Sequence, residues 1–406
     1  MKIKTILLFL LISIVSLAYG FAVGFFQIFP FSLMQEINEK IEYSSVTIPK
    51  ISLGGNEKFE LKEKLYGSTV SLPNSIELIN SISLNNFSIS WGQYDVPDLE
   101  KIGAIDITKN NVWYINQKDK AFIKAFGLED KIPYLGGIKA IFDLQNKPFA
   151  YVAYTDGDCA SARIYDLKRI EIAFQMPCLP DIENADLNGV GGGFLKISDN
   201  EVLLGTGTPS VDGVDSDISI LAQDDQSLWG KILSISLLAD QIDVSIFSKG
   251  QRNPQGIFSI NNVIYGVDHG PMGGDELNIL EKGANHGWPI QSLGSEYGLK
   301  RINKDYSIIE NNSSPLLSFV PSIGISSVYG CPTNYSDYYS PQQCVAVSSL
   351  RAGSIFLIVH DGAKVLFYER INLKSRIRKF QTYEDSFIAI TDFDGIIIGK
   401  LSENKL

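Results

Sequence analysis

From Ser354 to Ile371 the chain reads SIFLIVHDGAKVLFYERI. Two apolar runs flank a short polar turn at Asp361 and Gly362. Strand, Asp/Asn-rich turn, strand is the pattern of a β-hairpin, because those turn residues accept the backbone angles that reverse a chain tightly. The same shape recurs in GAIDITKNNVWYI (Gly103–Ile115), GFLKISDNEVLLGTG (Gly193–Gly207), NNVIYGVDHG (Asn261–Gly270) and DSFIAITDFDGIIIGKL (Asp385–Leu401). Long helical periodicity is scarce, so the chain is predicted to be all-β. Many short antiparallel strands fit a series of sandwiches, a barrel or a propeller, and a propeller suits the length best. No clean repeat stands out along the chain.

Composition narrows the function classes. The chain has 406 residues, 45% hydrophobic and 20% charged, enough to bury a core. A net charge of -11 argues against a nucleic-acid partner, which would need a basic face. At the N-terminus, Lys2 and Lys4 precede an apolar run from Ile6 to Phe26. A cleavable export signal would end at Ala18-Tyr19-Gly20; an uncleaved anchor would use the whole run. The run continues through Phe21, Val23, Phe25 and Phe26, which favours a membrane anchor over residues 6–26. Either reading sends the rest of the chain out of the cytoplasm, to a periplasmic or other extracytoplasmic location. The expected layout is therefore a signal or anchor helix at 1–30, a spacer at 31–86 and the β domain at 87–406. The four cysteines fall into two local pairs, Cys159 with Cys178 and Cys331 with Cys344. Two loop-closing disulfides fit that spacing, with four buried free thiols as the alternative.

Six motifs then occur in order: AQDDQSLWGKIL (Ala222–Leu233), GQRNPQGIF (Gly250–Phe258), DHGPMGGDELNILEKGANHGWP (Asp268–Pro289), SIGISS (Ser322–Ser327), SLRAGSI (Ser349–Ile355) and SRIRKF (Ser375–Phe380). Together they resemble the soluble quinoprotein glucose/sorbosone dehydrogenase family, which includes the aldose sugar dehydrogenases. The resemblance implies a six-bladed β-propeller carrying pyrroloquinoline quinone (PQQ) and a calcium ion near its axis. It implies oxidation of an aldose sugar or related alcohol, with electrons passed to a respiratory acceptor. Cofactor-binding roles fall on Arg252, Asn253, Ser322, Arg351, Arg376 and Arg378. PQQ bears three carboxylates, and guanidinium groups match carboxylates in bidentate geometry. Arg376 and Arg378 lie two apart on an expected strand and so share a face. The family's calcium ligands are backbone carbonyls, here Gly270 and Pro271, and calcium takes such oxygens readily. Glu276 could support a calcium ion or stay structural. Asp275 reads as an anchor for backbone amides of the turn. His286 stands where the family usually has tyrosine, and Trp288 reads as core.

The catalytic position departs from the family. Its general base is a histidine, and the matching residue here is Val190, with Phe194 at the family's arginine. Thr208 stands where aspartate is common. Asp186, Asp212 or Asp215 could substitute as base. His269 reads as a residue that positions the turn, with a new base as the sharper alternative. The alternative function is a catalytically degenerate propeller that binds a carbohydrate or protein partner.

Overall fold

The structure, a computed structural model, describes residues 66–404 apart from 73–77, 79, 97, 108–110, 212, 296–300 and 304–310. The described strands form six blades around one axis. The first blade holds β1 (Ser68–Ser71), β4 (Ile102–Ile107) and β5 (Asn111–Asn116). The second holds β6 (Gly137–Leu144), β7 (Lys147–Asp156), β8 (Cys159–Asp166) and β9 (Glu171–Gln175). The third holds β10 (Gly191–Ser198), β11 (Glu201–Thr206), β12 (Lys231–Leu238) and β13 (Gln241–Lys249). The fourth holds β14 (Pro254–Ile260), β15 (Val263–Asp268), β16 (Asp275–Ile279) and β19 (Leu317–Phe319). A ribbon of β17 (Gln291–Ser295) and β18 (Arg301–Asn303) interrupts it before β19. The fifth holds β20 (Ile325–Gly330), β21 (Gln343–Ser349), β22 (Ser354–His360) and β23 (Val365–Asn372). The sixth joins β24 (Ile377–Tyr383), β25 (Ser386–Thr391) and β26 (Ile396–Glu403) to β3 (Phe87–Tyr94) and β2 (Asn80–Ser83).

β26 pairs antiparallel with β3 from Ile396 opposite Tyr94 to Glu403 opposite Phe87. This pairing closes the ring and removes two sheet edges that would otherwise be open to other chains. β1 and β2 fall inside the stretch expected to be spacer, residues 31–86, so the propeller takes in chain from well before residue 87. The apolar run 6–26 lies outside the described residues. Among the described residues no helix is long and apolar enough to cross a membrane.

Burial follows position in the blade. β7 and β22 sit between neighbouring blades and are buried on both faces, hence their continuous apolar runs. β13 and β23 are outermost, and exposed residues recur along each at every second position or so. Aromatic and aliphatic side chains fill the seams, as where Phe142, Tyr151 and Trp229 meet between the second and third blades. The two disulfides form as the cysteine pairs suggested, Cys159 with Cys178 and Cys331 with Cys344.

The inner strands β4, β6, β10, β14, β20 and β24 contact one another in that order around the axis, β24 returning to β4. Each has a register shift in its first few residues, at Ile102/Ala104, Ile138/Ala140, Gly191/Phe194, Pro254/Gly256, Ile325/Ser327 and Ile377/Lys379. A bulge re-aims the residue it displaces. Here it does so at one end of every inner strand. Glycine allows the strands to crowd at this level: a Cβ on Gly193 would come within 2.5 Å of Gly256 N.

Candidate active site

All six inner strands start at the same end of the channel, and the residues at their starts form its mouth. Arg252 and Asn253 precede β14. Their backbone N–H groups both donate to the Asp268 carboxylate, at 2.7 and 2.5 Å. The Arg252 side chain is thereby held over the following turn. Its Nη1 donates to His269 O at 3.3 Å and Gly270 O at 3.1 Å, and its guanidinium lies 5.3 Å from the Trp288 ring centroid. Asn253 Oδ1 accepts from Gly191 N at 3.1 Å, tying the third blade to the fourth.

The turn between β15 and β16 is organised by one carboxylate. Asp275 Oδ1 accepts from Gly270 N at 3.0 Å, and Oδ2 accepts from Gly324 N at 2.7 Å and Ile325 N at 3.0 Å. Its expected anchoring role is therefore observed. A Cβ on Gly270 would collide with Gly274 C at 2.3 Å, so only glycine lets the turn fold back on itself here. Glu276 lies across from Asp268 in the sheet and accepts from Asn278 Nδ2 at 3.2 Å. Burial, with Asp268 beside it, pushes Glu276 up to about 8. Burial raises Asp268 to about 6 against the pull of its two backbone donors. Asp268, His269, Gly270, Glu276, His286 and Trp288 line a cavity of about 10 Å³, room for about one water.

His269 Nδ1 stands 3.8 Å from Asp275 Oδ1, beyond hydrogen-bond reach, so its backbone rather than its ring positions the turn. Burial lowers its imidazole to about 4. His286 is buried, its ring nitrogens have no hydrogen-bond partner among the described residues, and burial lowers it to about 4. Trp288 is core, as expected, and its Nε1 donates to Thr208 Oγ1 at 2.9 Å.

On the opposite side of the mouth, cations gather. Arg378 makes a two-point pair with Asp392, 2.9 Å from Nε to Oδ1 and 2.9 Å from Nη2 to Oδ2. Arg376 Nε approaches the same carboxylate at 3.4 Å. The two arginines do share a face, and the anion that lets them do so is the chain's own Asp392. Arg378 is buried in that pair, while Arg376 keeps half of its side chain in solvent. Lys101, just before β4, donates from Nζ to Asn188 Oδ1 at 2.5 Å. Burial lowers its amine, with Arg378 and Arg376 adding and Asp392 and Asp186 opposing. Lys139, the residue displaced by the bulge in β6, is buried. Burial lowers it to about 7, and Lys101 and Arg378 push the same way against Asp186. Ser322 and Arg351 instead line a groove of about 470 Å³ between the fourth and fifth blades, together with Phe319, Val320 and Tyr368. Arg351 is exposed and Ser322 Oγ is buried without a partner among the described residues.

The family's histidine position is blank. Val190 is fully buried among Leu187, Ile218 and Trp229, and only its carbonyl is used, accepting from Tyr151 OH at 3.1 Å. Phe194 packs 6.0 Å from Phe142, and Thr208 is taken by Trp288. Asp186 caps the short turn Leu187–Gly189 by accepting from Asn188 N at 3.0 Å. Asp215 is exposed, and Asp212 lies outside the described residues. Sequence reading missed Lys101, Lys139, Asp268 and Asp392. The lysines stand at the starts of inner strands, where Arg376 and Arg378 also stand, and only alignment of the bulges makes that equivalence visible.

A propeller with an ordered polar mouth at its axis defines the class, and comparison with known proteins narrows it. Residues 179–398 match the family model described as Glucose / Sorbosone dehydrogenase, and the chain belongs to that family. It is 30% identical over 190 residues to the aldose sugar dehydrogenase YliI of Escherichia coli K12, covering 42% of this chain and 49% of that one. A shorter match of 70 residues, 44% identical, links it to quinoprotein glucose dehydrogenase B of Acinetobacter calcoaceticus, over 17% of this chain and 14% of that one. The chain thus spans about half the length of the first of these relatives and less of the second. The apo-form of the soluble aldose sugar dehydrogenase from Escherichia coli shares the fold at a TM-score of 0.54 and 20% identity, over 83% of this chain and 100% of that one. A glucose dehydrogenase crystal structure does so at a TM-score of 0.56 and 18% identity, over 77% and 99%.

Proposed function

We propose that this protein is an extracytoplasmic, quinone-dependent dehydrogenase that oxidises an aldose sugar or related alcohol. The observation that carries the reading is the convergence of Lys101, Arg376 and Arg378 at the mouth of a chain whose net charge is -11. Such clustering in an acidic protein favours a polyanionic ligand. Asp392 neutralises part of it, and the half-exposed Arg376 keeps donors to offer. The orphaned Ser322 Oγ and exposed Arg351 fit the same ligand class, since a buried hydroxyl without a partner costs stability until something pairs with it. PQQ is the cofactor proposed. Arg252, Asn253, Arg376 and Arg378 would hold it at the mouth, and when bound it supplies a two-electron acceptor for hydride.

Calcium is proposed at the Gly270 and Pro271 carbonyls, with Glu276 on the same small cavity as Gly270. Gly270 O already accepts from Arg252, and a carbonyl's second lone pair is what an ion would use. Two disulfides fit an oxidising compartment. A membrane anchor at residues 6–26 and a respiratory electron acceptor belong to the same reading. The second reading, a degenerate propeller that binds a carbohydrate or protein, is favoured by one observation: Val190 is core. Calorimetric titration of PQQ, with and without calcium, followed by dye reduction across an aldose panel, separates the two. Calcium-dependent binding with turnover is expected. Binding with no turnover of any sugar would leave the second reading standing, and no binding would sink the first.

A further inference from the structure

We propose that Lys139 is the proton acceptor of this mouth, standing in from the neighbouring blade for the base that Val190 cannot supply. The inference rests on the dehydrogenase reading above and assigns one step of it to a residue outside the family motifs.

The geometry begins with the contact between β6 and β10. A Cβ built on Gly192 would lie 2.9 Å from Lys139 Cβ and 2.8 Å from Lys139 O. Lys139 therefore abuts the strand start two residues beyond Val190, which itself faces the core. Gly192 carries no side chain to separate Lys139 from that position. The bulge between Ile138 and Ala140 displaces Lys139 at the same level as Arg378 is displaced in β24. The charged groups facing its amine are Lys101 from the start of β4, Arg378 from β24 and Asp186 from the loop before β10. All three belong to the mouth.

What the amine does not do is equally informative. Lys139 Nζ has a single hydrogen bond among the described residues, to Leu135 O at 3.5 Å, the limit for such a contact. The other buried lysine, Lys231, is differently placed. Lys231 Nζ donates to Leu221 O at 2.7 Å, Ala222 O at 3.1 Å and Trp229 O at 2.8 Å. Three carbonyls accept from all three of its N–H groups and make it a structural clasp, although burial brings it, too, to about 7. Lys139 is buried without that compensation. Burial and two neighbouring cations favour its neutral form, which bears a lone pair, and bring it to about 7. A base poised near the working pH is the condition for efficient general-base catalysis.

The substrate's O–H bond breaks and a new N–H bond forms on neutral Lys139, giving ammonium. The electron pair left on oxygen becomes the second bond of the product carbonyl. The hydrogen on carbon leaves with its own pair to the quinone cofactor of the reading above. Lys139 returns its proton to water at the open mouth.

Two arms test this. In the apoprotein, [13Cε]lysine resonances are followed against pH, with Lys139→Met and Lys231→Met assigning the two buried lysines. The Lys139 signal should titrate near neutral pH; a Lys139 that stays charged above pH 9 overturns the proposal. In the PQQ- and calcium-loaded protein, Lys139→Arg fixes a positive charge at this position that cannot be deprotonated. It should bind PQQ within about threefold of wild type while kcat/KM falls ~100-fold or more, the scale of a lost general base. The rise of wild-type kcat/KM through about pH 7 should vanish with it. Lys139→Met, checked for folding by circular dichroism, should show the same loss. If Lys139→Arg retains the wild-type rate and pH profile, the lysine is only a cation for ligand binding and the proposal fails alone. If loaded wild-type protein oxidises no sugar, the dehydrogenase reading fails and takes the proposal with it.

Discussion

The mouths of the third and fourth blades are built on the same strand geometry and filled in opposite ways. In the fourth, Asp268 and Asp275 spend their oxygens on five backbone N–H groups, and His269, Gly270, Met272 and Gly274 of the turn are held by their main chain. In the third, Val190 is turned into the core and three successive glycines, Gly191 to Gly193, leave the channel wall bare. The side that would grip a ligand is over-determined, and the side that would react with a substrate has given its side chain to packing. Ligand retention and catalysis are therefore separable in this protein, and each can be perturbed without the other.

The largest effect should come from the fourth-blade side. Asp275→Ala leaves three N–H groups without their acceptor, at roughly 1–3 kcal/mol for each that stays buried. Urea unfolding should show a loss of about 3 kcal/mol or more. A loss under 1 kcal/mol would mean the turn holds itself without the carboxylate and the contrast between the blades is overstated. Lys139→Met comes next, with the opposite sign. A lysine whose folded pKa is depressed from 10.5 to about 7 destabilises the fold at all pH values below about 7. That penalty fades as pH rises toward 10.5. The variant should be more stable than wild type by on the order of 3 kcal/mol at pH 6. Unfolding at pH 10 should bring the two nearly together. Equal stability at pH 6 would show that the amine is solvated after all. Smallest is Val190→Ala, which removes two buried methyl groups and should cost about 2 kcal/mol. Ligand affinity should stay unchanged. A fall in PQQ affinity there would join the two sides that the structure keeps apart.

Much of the architecture was legible. Hairpin patterning marked the strands, and the paired cysteines marked both disulfides. The repeat was not visible because it is four residues long and broken. KIGA at Lys101–Ala104, GIKA at Gly137–Ala140, GISS at Gly324–Ser327 and RIRK at Arg376–Lys379 all place an isoleucine at or one residue into the start of an inner strand and bulge at the next residue. The third and fourth blades place Gly191 and Pro254 at that isoleucine, which hides the series. The arginine pair was legible from its spacing. Its partner was not, because Asp392 comes from the end of β25 and only the blade's register brings it there. The edge strands β1 and β2 are short and mostly exposed, so they carried no burial pattern to read.

The seam between β3 and β26 sets a timetable as well as a shape. Ser88 Oγ donates to Ser402 O, an atom 314 residues further along the chain. A ribosome working from the N-terminus therefore releases β3 long before β26 exists. Until β26 is made the propeller is an open arc with two bare edges, able to pair with other chains. A chain lacking β26 would stay in that state permanently. β26 therefore decides whether the ring closes or keeps two edges open to aggregation.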